Sequence, residues 1–149
     1  MTTTDDFAEF VLAVEYDDLS EEVREELKKR VLDSVGVAIG AMDEETPETV
    51  LATVREASSE GPCRLWGTEE RASIPEATMF NTTLTRYLDY MDSFLAPGET
   101  PHPSDNIAGI LACGEAKGAS GRELVEAIGV LRIVEADLVA GNAVFDFVA

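Results

Sequence analysis

Apolar residues recur along this chain at helical spacing. Between Asp5 and Val14, the residues Phe7, Phe10, Val11 and Val14 fall at i, i+3, i+4 and i+7, one face of a helix whose N-terminus Asp5 and Asp6 favour. Ser20 reads as the N-cap of a second helix carrying Val23, Leu27, Val31, Leu32, Val35 and Ile39, with Glu21 and Glu22 in its first turn. The far half of that helix, Val35 to Ala41, is apolar on nearly every side, which predicts burial or very close packing through Gly36 and Gly40. Thr46 as N-cap, followed by Pro47, predicts a third helix that ends at Ser58 or Ser59, before the stop Gly61-Pro62. Ser73 and Pro75 open another, and nothing breaks the run from Glu76 through Tyr90. Ser93 to Ser104 holds three prolines and a glycine and is expected to be a loop. Asp105 to Gly114 resumes the apolar spacing. Ser120-Gly121-Arg122-Glu123 is a capping box ahead of Leu124, Ile128, Leu131 and Leu138.

The one extended-looking run is Cys63-Arg64-Leu65-Trp66. A single strand makes no sheet, so this run is expected to be a loop or to pair with something outside the chain. The pattern therefore predicts an all-α fold, an antiparallel helical bundle with short connections. At 149 residues the chain is expected to form one domain with a core that needs no disulfide or metal staple.

Charge narrows the choice of partners. Thirty acids against eleven bases give a formal net charge of −19, which repels nucleic acid and anionic membranes. The acids are dispersed along the chain, so adaptation to high salt explains them better than one acidic docking surface. No apolar run approaches a membrane span, and the N-terminus has neither a basic region nor an apolar leader core. A soluble, cytoplasmic protein is the expectation. Cys63 and Cys113, far apart in sequence, read as reduced and partly buried.

Candidate chemistry centres on the only histidine, His102, in Thr100-Pro101-His102-Pro103-Ser104-Asp105-Asn106. It is the side chain suited to carry a proton near neutrality, and the flanking prolines restrict the backbone that holds it. Ten residues earlier, Asp89 and Asp92 lie three apart, on one face if the helix continues, and Ser93 joins that face. A carboxylate accepting from one ring nitrogen would fix the tautomer and raise the basicity of the other. The plainer reading is an exposed histidine beside solvated acids at a helix end. No GxGxxG, P-loop, HExxH or GxSxG pattern occurs, and a metal held by one histidine and carboxylates is the lesser alternative, because magnesium or calcium would leave His102 unexplained; no metal is expected.

A set of ordered motifs resembles the MmgE/PrpD family. They are Gly61-Pro62-Cys63-Arg64-Leu65-Trp66-Gly67, Ala72-Ser73-Ile74-Pro75-Glu76-Ala77, Phe80-Asn81, Arg86-Tyr87-Leu88-Asp89-Tyr90-Met91-Asp92-Ser93 and His102-Pro103-Ser104-Asp105-Asn106. The family includes 2-methylcitrate dehydratase, with cis-aconitate decarboxylase and iminodisuccinate epimerase as relatives. The resemblance implies a large all-α domain carrying most of the site, a smaller α+β domain, a homodimer and cofactor-independent chemistry on small polycarboxylates. A proton leaves carbon next to a carboxylate, and water or CO2 is lost. His102, Asp89 and Ser93 match the family's active-site His, Asp and Thr and are the expected catalytic residues. Asp92, Asn81 and Arg86 are the expected substrate contacts. Ser93 keeps the hydroxyl of the usual threonine, whereas Met91 departs from the family's usual acid or Asn, and the tail Gly141 to Ala149 also departs from its pattern.

Family members are longer. Residues 1–149 are therefore expected to be the N-terminal part of the helical domain, without the α+β domain, and weakly active or inactive alone. Arg64, Arg86 and Lys117 are the cations expected near the motifs. The alternative is a non-catalytic helical module that associates through apolar surface.

Overall fold

The computed structural model of the chain describes residues 3–57, 60–93, 95 and 100–140. Among them are six α-helices: α1 (Thr3–Ala13), α2 (Glu21–Gly40), α3 (Glu45–Ala57), α4 (Ile74–Tyr87), α5 (Ile107–Lys117) and α6 (Gly121–Ala140). Two short strands, β1 (Cys63–Arg64) and β2 (Arg71–Ala72), lie between α3 and α4. The fold is thus the expected mostly-α one. Ser58 and Ser59, the side chains of Phe7 and Leu138, and the tail 141–149 lie outside the described residues. None of the described helices is long and apolar enough to cross a membrane.

The helix starts follow their caps. Ser20 Oγ accepts from the Val23 amide at 3.3 Å at the head of α2. At α6 the capping box closes both ways, with Ser120 N donating to Glu123 Oε2 at 2.7 Å and Glu123 N donating to Ser120 Oγ at 3.3 Å. Those bonds hold the Glu123 carboxyl below its ordinary value, the Ser120 backbone N–H contributing most. In α3, Thr46 is not the cap, because the helix already begins at Glu45 and buries Pro47 in its first turn.

The extended run corrects one expectation. β1 pairs antiparallel with β2 inside the chain, Cys63 opposite Ala72 and Arg64 opposite Arg71. Gly67 turns the hairpin at φ +78°. At Gly61 a Cβ would collide with the backbone of Ala72 and Ser73, so only glycine fits. Two paired residues per strand are too few for a periodic sequence signal.

The hairpin is held from below by α4. Asn81, buried, donates from Nδ2 to the Arg64 carbonyl at 2.9 Å and accepts at Oδ1 from the Trp66 amide at 3.0 Å. Cys63, also buried, donates to the Ala112 carbonyl at 3.1 Å, and burial pushes its thiol pKa up. Cys113 is exposed, against the expectation of two partly buried cysteines. Around this contact a core of Ala38, Ala41, Val54, Leu65, Ala77, Phe80, Leu84 and Ala112 joins α2, α3, α4, α5 and the hairpin.

A second core of Leu19, Leu27, Ile107 and Ile128 joins α2, α5 and α6. The Tyr16 ring, between α1 and α2, lies between the guanidinium groups of Arg24 and Arg122, at 4.4 and 4.2 Å from its centroid. Its amide donates to Glu126 Oε2 at 2.9 Å. These contacts pin the first half of α6. The far half of α2 meets its expectation in part: Ala38 and Ala41 are buried and Gly40 packs closely against Leu88, but Ile39 is exposed and the space beside Gly36 is open, and Leu32 just before this stretch is exposed as well.

Asn81→Ala is expected to leave an amide and a carbonyl of the hairpin unpaired and to cost about 2–3 kcal/mol in urea denaturation. A loss under about 0.5 kcal/mol would show that the clamp contributes nothing net.

Candidate active site

Helix α4 delivers the chain to the site and stops earlier than its composition suggests. It ends at Tyr87, with Leu88 as C-cap, and Asp89 takes a left-handed conformation at φ 57°. Asp tolerates that region better than most residues, so it ends the helix as glycine commonly does. Asp89, Asp92 and Ser93 therefore do not share a helix face. The Asp89 carboxylate is exposed and paired with Arg86, and among the described residues no hydrogen bond joins it to His102. Arg86 also faces Asp105, its Nε 3.8 Å from Oδ2, while the other Asp105 oxygen is buried without a partner among the described residues.

On the other side of the site, Pro103–Asn106 form a single 3-10 turn with Pro103 in its first position. Pro103 and Ser104 are buried, and the Asp105 amide closes the turn on the His102 carbonyl at 2.9 Å. The half-buried imidazole points back across the loop. Its Nδ1 lies 2.8 Å from the Asp92 backbone carbonyl and 3.4 Å from Ser93 Oγ. A carbonyl only accepts, so Nδ1 carries the proton in the neutral ring and Nε2 keeps the lone pair. The orienting acceptor is thus the main chain of Asp92, where a carboxylate was expected.

The Asp92 side chain points the other way. Its carboxylate accepts from the Ser104 amide at 3.1 Å, from the Ser104 hydroxyl, and from Arg132 of α6 at 2.5 Å. Only 5% of that side chain is exposed, against 26% for Arg132. Burial acts to raise the Asp92 pKa, but the bonds from Ser104 and Arg132 together outweigh it and hold the carboxyl below the ordinary aspartate value.

Of the six expected site residues, the structure brings together His102, Ser93 and Asp92. It places Asp89 with Arg86 at the surface. Asn81, an expected substrate contact, is instead committed to the hairpin, because both ends of its buried amide bond backbone. The carboxylate of Asp92, another expected substrate contact, is likewise committed, to Ser104 and Arg132. Arg132 escaped notice because it lies forty residues from Asp92. Its signal was a lone base one turn past Ile128 on the buried stripe of α6, where an aliphatic residue is the ordinary choice.

The family model of the MmgE/PrpD N-terminal domain matches residues 5–142. The chain belongs to the MmgE/PrpD family. The matched stretch takes in the hairpin, the Asp89–Ser93 run and the His102 loop of this MmgE/PrpD chain, and also Arg132. Two apolar grooves open elsewhere. One, of 600 Å³, runs between α5 and α6 past Ile110, Leu124 and Leu131. The other, of 320 Å³, lies between α2 and the hairpin beside Ile39, Met42 and Trp66. Neither is lined by His102, Ser93 or Asp92. Among the described residues no three His, Cys, Asp or Glu side chains converge as a metal ion would require.

The depressed Asp92 value has a pH signature. Its contribution to stability is present above about pH 4, the ordinary aspartate range, and is lost as pH falls through the lower folded value. Asp92→Asn is expected to melt below wild type at pH 7, with the gap closing below about pH 4. Thermal unfolding from pH 7 to pH 2 checks this, and a gap that stays constant over the range would count against it.

Proposed function

We propose that this chain carries the histidine-bearing part of a 2-methylcitrate dehydratase-like site acting on a small polycarboxylate. One observation carries the proposal. The Nδ1–H of His102 is held on the Asp92 carbonyl, which leaves Nε2 as an oriented, unprotonated base. In the proposed step, Nε2 takes the proton from carbon next to a substrate carboxylate. The electron pair of that C–H bond forms a C=C bond as the C–O bond on the neighbouring carbon breaks. The leaving hydroxyl takes the abstracted proton back from the His102 imidazolium, departing as water and returning the ring to its neutral form. Ser93 Oγ, exposed beside the ring, supplies a hydrogen bond to the reacting group. Arg86, exposed at the rim, offers a charge for a carboxylate, with Asp89 as the acid that holds it in place. The family supports chemistry of this class and leaves open which polycarboxylate is used.

A second reading, a non-catalytic helical module that associates with itself, is favoured by one feature. Leu12, Leu32 and Ile39 are exposed together with the open α5–α6 groove. Sedimentation in molar salt separates the readings, since a compact monomer with no self-association would count against the module.

The purified chain is expected to turn over 2-methylcitrate weakly at most, followed by the ultraviolet absorbance of the new double bond. His102→Ala is expected to lower whatever turnover is present by about 10²–10⁴-fold. Turnover that survives His102→Ala would overturn the assignment.

A further inference from the structure

The three groups that hold His102 in place converge on Asp92. Its carbonyl takes the ring proton, its carboxylate takes the amide and hydroxyl of Ser104, two residues beyond the histidine, and Arg132 holds that carboxylate. We propose that Arg132 is a positioning residue for His102: it reaches the histidine only through Asp92, so that α6 sets which ring nitrogen carries the proton. The proposal rests on the reading of His102 as the base.

The physical reason lies in the burial of Asp92. A carboxylate 5% exposed stays ionised inside protein only when it is paired and fully hydrogen-bonded. Without the guanidinium, the carboxylate either turns out to water or protonates. Turning out gives up the bonds to the Ser104 amide and hydroxyl that tie the Asp92 segment to the histidine's turn, so the carbonyl is no longer held on Nδ1. Protonating exchanges an acceptor for a donor opposite Ser104, and the 3-10 turn that carries the histidine loosens. By either route the ring loses its one strong acceptor, since Ser93 Oγ at 3.4 Å is a weak substitute. A free neutral histidine favours the proton on Nε2, so the lone pair moves to the wrong nitrogen.

Arg132 is itself held from the far side. Ile128, one turn earlier, is buried with Leu19, Leu27 and Ile107, and the Tyr16 contacts fix α6 near its start. The helix therefore presents Arg132 from a rigid base, and only its last methylene groups and guanidinium have to be ordered by Asp92.

One histidine in the chain makes the test direct. Ring ¹⁵N shifts of the labelled full chain, followed with rising pH until they stop changing, report the tautomer of the neutral ring without assignment of any other residue. Wild type is expected to show a protonated Nδ1 and a bare Nε2. Arg132→Gln is expected to draw the two shifts together or to invert them, and Arg132→Lys, which keeps the charge, to restore most of the wild-type difference. Arg132→Gln with wild-type ring shifts and a cooperative melt would overturn the proposal. If Arg132→Gln does not fold, Asp92→Asn decides: the amide is nearly isosteric and Arg132, a quarter exposed, can turn to water. Wild-type ring shifts in Asp92→Asn would then overturn it equally. A changed tautomer alongside turnover that ignores His102→Ala would sink the catalytic reading and leave the positioning role standing.

Discussion

Most of the fold is organised around the buried stripe of α4. Ala77, Phe80 and Leu84 form one apolar face, and Asn81 lies beside it as the one amide, so a single helix packs on α2, α3 and α5 and also holds the hairpin by its backbone. An amide in that position adds direction to a contact that apolar packing leaves free to slide. The hairpin has only two paired residues per strand, so its location depends on the clamp more than on its own ladder. The same helix ends at the loop that carries Asp92 and Ser93. The packed face of α4 and the candidate site beyond its end are thereby tied to one rigid rod.

The second core gives the complementary constraint. It joins Leu19 and Leu27 from the N-terminal half to Ile107 and Ile128 from the C-terminal half. His102 lies between these two packed regions, on a turn whose Pro103 and Ser104 are buried. Pro101 and Pro103 leave the backbone on either side of His102 little freedom to lose, and the turn after it is anchored by its buried residues. The site is therefore a property of the docking of α6 as much as of the loop itself.

How much of this was legible in the sequence depended on how local each determinant is. The caps at Ser20 and Ser120 could be read because one side chain and its third neighbour decide them. The break at Asp89 could not, because the run holds neither glycine nor proline and only the backbone angle reveals the left-handed turn. The hairpin partner Arg71-Ala72 was too short to carry an alternating pattern. The exposed Leu32 and Ile39 mark the limit of apolarity as a guide to burial. The histidine itself was found from residue type and its prolines. What holds it was not, because its partner is a main-chain carbonyl and the arginine that pairs with Asp92 lies forty residues on, in α6.

That the imidazole leans on a peptide carbonyl has a consequence for how such a site tolerates change. A carbonyl has no pKa, carries no net charge to be screened by salt, and is supplied by any residue that occupies the position. The acceptor itself is not removed by titration, by salt or by trimming a side chain; these reach the contact only through the Asp92 carboxylate, Ser104 and Arg132 that place the carbonyl. Sequence drift at that position is thus free to alter what anchors the loop without ever deleting the acceptor. The histidine's orientation is inherited with the course of the backbone, and selection acts on it only at a distance.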